Sequence, residues 1–240
     1  MFIKLYGLQR TRTNYMQVLI NMNLPQVTCL ANVGGWKHGY VQNVIDWTGE
    51  NWEEHPSLGV KYLEKNLEEL QGRKEEYQKA FDNGEVKYLF MFRNFYDSFG
   101  SRMKFVKEEY HYQKLLSLLQ EWNNTNVHYL AKMEQCLDRS WFIKFEDLSV
   151  PRKKIAALGG LIQHFGISNL PHDKWRDPGS HRLEPRAWKP DGNTYRYLKD
   201  EKFKNPETHH HNKDRTEEEM QFIREHINKE LCGILGYEVL

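Results

Sequence analysis

The sequence predicts an α/β protein in three layers (α/β/α), with helices on both sides of a mainly parallel central sheet. Two observations carry that expectation. Short β-rich stretches alternate along the chain with longer segments of helical period. Residues 86–92 are apolar on both faces, as a strand inside a parallel sheet must be. No internal repeat or low-complexity linker divides the 240 residues, so a single domain spanning 1–240 is the simplest organisation.

Taken in order, residues 2–6 are β-formers closed by Gly7. Tyr15, Met16, Leu19 and Ile20 then follow helical spacing over 13–22. Residues 27–31 form a weaker strand candidate. A charged helical pattern over 58–81 carries Tyr62, Leu63, Leu67, Leu70, Tyr77 and Phe81 and stops at Asp82-Asn83-Gly84. After the apolar strand at 86–92, helices are expected at about 97–109 and 111–137, and a short strand at 141–145. Pro151 stands at a favoured first-turn position of a helix bearing Ile155, Leu158, Leu161, Ile162 and Phe165. Residues 171–215 read as long loops, and Thr216-Glu217-Glu218-Glu219 is a capping signal for a last helix reaching about Leu235.

Lys and Arg number 34 against 33 Asp and Glu, a formal net charge of +1. That balance argues against nucleic acid or a membrane surface as an electrostatic partner. No apolar run approaches the roughly 20 residues of a membrane span. The first residues lack the apolar stretch and small-residue cleavage site of a secretory signal. The cysteines, Cys29, Cys136 and Cys232, are sparse and far apart, as reduced thiols are. A cytoplasmic location is therefore expected. There is no CxxC pair, so no structural zinc site is expected. The charge is uneven, however. Residues 1–20 hold +3 and residues 86–107 hold +4, while 53–85 hold −4.

The first cation-rich stretch runs from a strand through a polar loop into a helix: Leu5-Tyr6-Gly7-Leu8-Gln9-Arg10-Thr11-Arg12-Thr13-Asn14-Tyr15. A helix start offers N–H groups and a positive dipole end, which together bind anions. A triphosphate loop would carry a second Gly and a Lys at set positions. Arg12 and Thr13 stand there instead. The second stretch places Arg93 at the end of the apolar strand, where ligands of open α/β sheets sit, with Ser101 eight residues later. A guanidinium and a hydroxyl can clamp a phosphate between them.

Together these stretches resemble the sulfotransferases that use 3′-phosphoadenosine 5′-phosphosulfate (PAPS). In that family a basic residue, Ser or Thr, Gly, Thr, Thr or Asn, and Trp or Tyr follow the first strand. Arg10-Thr11-Arg12-Thr13-Asn14-Tyr15 matches except at Arg12, where Gly is usual. The family's second motif is matched by Arg93, Asn94, Asp97 and Ser101, with Phe95 in place of the usual Pro. Phe145-Glu146-Asp147-Leu148 after a strand, and Leu235-Gly236-Tyr237-Glu238 near the C-terminus, resemble two further family stretches. The resemblance covers about 2–165 and 216–238.

It implies a P-loop NTPase-like sulfotransferase fold, with PAPS as sulfuryl donor, 3′-phosphoadenosine 5′-phosphate (PAP) as product and no required metal. The acceptor would be a small molecule or glycan bearing a hydroxyl or amine. Arg10, Thr11, Arg12, Thr13, Asn14, Tyr15, Arg93 and Ser101 would bind the nucleotide. Arg10 occupies the family's catalytic cation position and, being permanently charged, would act by charge and hydrogen bonding. The acceptor proton needs a base. His38, in Gly34-Gly35-Trp36-Lys37-His38-Gly39 after the second strand, is the first candidate, with Lys37 as a second cation. Glu50, Glu53 and His55 are its rivals. A nucleotide-dependent phosphotransferase and a non-catalytic nucleotide-binding protein are the alternative readings. His209-His210-His211 reads as a polar surface loop.

Overall fold

Four runs of β-forming residues become four parallel strands. The computed structural model describes residues 1–9, 11–30, 35–45, 74–103, 106–149, 151–168 and 215–240. The strands are β1 (Phe2–Gly7), β2 (Thr28–Leu30), β3 (Lys87–Phe92) and β4 (Ser140–Lys144). They form one sheet in the order β2-β1-β3-β4, with Gly7 opposite Met91 and Phe92 opposite Lys144.

Alternation along the strands splits the core in two. Phe2, Tyr6, Tyr88, Phe90 and Phe92 belong to one cluster, and Ile3, Leu5, Leu89, Met91 and Ile143 to the other. Both faces are therefore apolar, which is why the strands read as continuous hydrophobic runs. Helices α1 (Thr13–Asn23) and α5 (Pro151–Phe165) cover the second face, through Tyr15, Met16, Leu19 and Ile20 and through Leu158, Leu161, Ile162 and Phe165. The first face is covered by α2 (Lys74–Asp82), α3 (Phe95–Met103), α4 (His111–Gln135), α6 (Glu217–His226) and α7 (Lys229–Leu235). Among the described residues no helix is long and apolar enough to cross a membrane.

All four expected strands form. The helices differ from expectation at their ends, for local reasons. Helix α3 starts at Phe95 rather than 97, because the Asn94 side chain accepts the Tyr96 N–H (3.0 Å) and caps it. After residue 106 only a 3-10 turn, Glu108–Tyr110, precedes α4. The last helix is two helices. Ile227 is extended (ψ 140°), and Asn228 Oδ1 accepts the Leu231 N–H (2.9 Å) to start α7 anew. Of the pattern over 58–81, only the part within α2 is described; the remainder, like most of 171–215, lies outside the described residues.

The order of the strands marks the sheet edge where candidate site residues are to be sought. Chain leaving β1 goes to α1 on one face, and chain leaving β3 goes to α3 on the other. Neighbouring strands whose exits diverge leave a crevice at their carboxyl ends, the switch point where open α/β sheets bind ligands.

Candidate functional site

Both cation-rich stretches end at this crevice. On the β1 side the loop folds back over Gly7. The Thr11 hydroxyl donates to the Leu8 carbonyl at 2.6 Å, and the Thr11 N–H to the same oxygen at 3.2 Å. A Cβ on Gly7 would lie 2.6 Å from Thr11 Oγ1 and 2.9 Å from the Met91 carbonyl oxygen, so the close turn depends on glycine. Thr11 and Thr13 are buried and Asn14 is exposed.

Arg12 sits at the N-cap of α1 with φ 61° and ψ 28°, the left-handed region. Among the described residues it is the one non-glycine with positive φ. For an L-residue that conformation costs about 1–2 kcal/mol. It is the conformation a glycine adopts freely, at the position where the sequence motif carries arginine. The Arg12 carbonyl accepts the Met16 N–H (3.0 Å), and no side chain caps the helix start.

Residues 35–41 are stitched to the same corner. Buried Lys4 donates from Nζ to the Gly35 carbonyl (2.6 Å), and the Gly7 N–H donates to the Lys37 carbonyl (2.9 Å). Lys37 is itself buried, and its Nζ donates to Asn14 Oδ1 in the first turn of α1 (2.6 Å). His38 donates from Nδ1 to the Gly7 carbonyl (2.5 Å). A carbonyl only accepts, so Nδ1 carries the proton and Nε2 the lone pair. Burial pushes the His38 pKa down to about 4, with the charges of Lys37 and Arg102 acting the same way and the bond to Gly7 opposing. The ring is thus neutral at physiological pH. Trp36, half exposed, meets it edge to face, with centroids 5.2 Å apart.

The β3 side is built from side chains. Arg93 is buried, and its carbonyl accepts the Trp122 indole N–H (2.9 Å). Burial lowers its pKa to about 10; Asp97 and Glu146 favour its charge, while Arg12 opposes it. Glu146 Oε1 accepts the Asn94 N–H (3.0 Å), and Oε2 accepts the Tyr237 hydroxyl (3.2 Å). Burial raises the pKa of Glu146 and also that of Tyr237. Phe145, immediately after β4, bridges the two sides. The guanidinium carbon of Arg93 lies 3.8 Å from its ring centre and that of Arg12 lies 4.5 Å from it.

Of the residues singled out in the sequence, the fold brings Thr11, Arg12, Thr13, Asn14, Lys37, His38 and Arg93 to one corner of the sheet, while Tyr15 is buried in the apolar cluster beneath α1. Ser101 lies in α3, but its side chain is outside the described residues, as are Arg10, Glu50, Glu53, His55 and His209-His210-His211. The supporting roles of Phe145, Glu146 and Tyr237 carry no signal beyond their place in two short motifs. In comparisons with known proteins, the chain matches no family model and no curated protein.

Proposed function

We propose that this chain is a sulfotransferase of the P-loop NTPase-like fold. It would take the sulfuryl group of PAPS to a hydroxyl or amine of a small-molecule or glycan acceptor and release PAP. One observation carries the reading: the loop after β1 has glycine's backbone conformation at Arg12, where the resembled motif has Gly, and it faces Arg93 across the β1–β3 crevice. The residues suit the nucleotide, since a tight turn, a helix start and guanidinium groups are what phosphates require.

The donor supplies an activated sulfuryl group on a phosphate leaving group. The chain's own residues do the remainder. The first turn of α1 and Arg93 hold phosphate charge, and Lys37, fixed by Asn14, places an ammonium beside them. His38 accepts the acceptor's proton on Nε2 as the new S–O bond forms and the bond from sulfur to the phosphate oxygen breaks. Its Nδ1–H bond to Gly7 holds the ring in that tautomer. Arg10 is proposed to stabilise the charge arriving on the leaving phosphate.

Thermal shift with PAP, ATP and AMP, each with and without Mg²⁺, tests the reading. The expected result is a metal-independent shift with PAP that exceeds the shift with ATP. Equal or larger stabilisation by ATP with Mg²⁺ points instead to the phosphotransferase, and no shift with PAP removes the sulfotransferase.

A further inference from the structure

Arg12 is more than a misfit at a glycine position. We propose that Arg12 and Arg93 form a single two-guanidinium grip, held on the two motifs by the shared ring of Phe145, that takes one dianionic phosphoryl or sulfate group. The resembled glycine could supply no such charge, so this grip is a property of this chain. Three observations carry it.

First, both guanidinium carbons lie within 4.5 Å of one ring centre, although they belong to loops after different strands. Two like charges brought together repel, and the effect of Arg12 on Arg93 has that sign. A dianion between them turns the repulsion into two attractions. Second, Arg12 holds the left-handed conformation, which most side chains avoid and which an arginine gains nothing from by itself. The strain is consistent with a residue retained for its side chain. Third, the buried guanidinium of Arg93 is held in its charged form: Asp97 and Glu146 both favour that charge, while Glu146 also accepts from Asn94 and Tyr237. Lys154, whose Nζ donates to the Tyr15 hydroxyl (3.3 Å), adds a further cation beside the Tyr15 ring that Arg12 approaches.

The inference adds to the proposed function but is tested apart from it, because its probe is an inorganic anion. Wild-type protein is titrated with inorganic phosphate and with sulfate at constant ionic strength, followed by melting temperature. Arg12→Gly, Arg12→Asn, Arg12→Lys, Arg93→Ala and the Arg12→Gly/Arg93→Ala double variant are compared. Glycine and asparagine both tolerate the left-handed region, so neither variant is expected to unfold, and Arg12→Gly should melt higher than wild type without anion. Arg12→Gly and Arg12→Asn should each weaken anion binding about 10- to 100-fold, the range for a charge-assisted hydrogen bond. Arg12→Lys should retain most of it. The double variant should lose little more than Arg93→Ala alone, since two residues gripping one group do not act additively. Wild-type affinity in Arg12→Gly, strictly additive losses, or no anion-dependent shift in the wild type would each overturn the grip. PAP titrated alongside separates the two ideas. An anion response without a PAP response sinks the nucleotide reading and leaves the grip standing. PAP binding unchanged by Arg12→Gly does the reverse.

Discussion

The two sides of the crevice meet the same demand by different means. The β1 side is made of backbone. Gly7, Leu8 and Arg12 set its shape through main-chain groups, and its side chains, Thr11, Lys37 and His38, are tied to that main chain or to the first turn of α1. The β3 side is made of buried charge. Arg93 is fixed there by a ring, an indole and the carboxylate that pins the next peptide. A fault on the first side should be conformational, changing geometry and stability. A fault on the second should be electrostatic, changing affinity and pH response. Substitutions on either side put this division to the test.

The largest effect is expected at His38. As the proposed base for the acceptor it should contribute about 10²- to 10⁴-fold to turnover. His38→Ala should lose that factor while keeping affinity for PAP; near-normal turnover would remove it from the mechanism. A second reading needs no activity. The folded pKa of about 4 lies below the unfolded value near 6.5, so between these values the unfolded state binds the extra proton. Stability therefore rises with pH across this window, and roughly 3 kcal/mol present above pH 6.5 is lost by pH 4. Comparing wild type with His38→Gln over this window isolates the contribution. Parallel pH profiles would show that the ring is not buried as described.

Next comes Gly7→Ala. The new methyl would strike Thr11 Oγ1, Met91 Cβ at 2.7 Å and the Met91 carbonyl, and the last of these is main chain in the neighbouring strand. Overpacking of this kind costs about 1–3 kcal/mol, and the turn beneath the proposed phosphate site would open. Chemical denaturation should show the loss, with PAP affinity falling alongside it. A variant as stable as wild type would mean that the loop is not closed over Gly7.

Most of the frame was legible in the sequence. The four strands announced themselves because both faces of the sheet are apolar, and the two cation-rich stretches because a strand–loop–helix pattern is local. The crevice partners were less so. An arginine gives no sign of a positive φ, since the residue type disfavours it. Phe145 reads as one more aromatic until two guanidinium groups are found over it. Lys4 looks like an exposed strand residue, yet it is buried beneath Gly35. The break at Ile227-Asn228 was hidden because the apolar period continues across it, while the bonds that make it come from Asn228 itself and from Asn123 in α4.

The smallest predicted effect lies at Tyr237, and it tests how far the β3 side reaches. Its hydroxyl donates to Glu146 across 91 residues of sequence, and Glu146 in turn holds the Asn94 peptide beside Arg93. Tyr237→Phe removes one hydrogen bond to a charged group and should cost about 1–2 kcal/mol at neutral pH. A carboxylate that loses a donor is harder to keep ionised, so the already raised pKa of Glu146 should rise further. The deficit of the variant should accordingly shrink as the pH is lowered and Glu146 becomes protonated. Because the Arg93 side is a charge network rather than a backbone turn, its signature is this pH dependence, and Gly7→Ala should show a deficit that does not vary over the same range. A Tyr237→Phe deficit that stays constant with pH would place Glu146 among groups that act by shape alone, and the division between the two sides would fail.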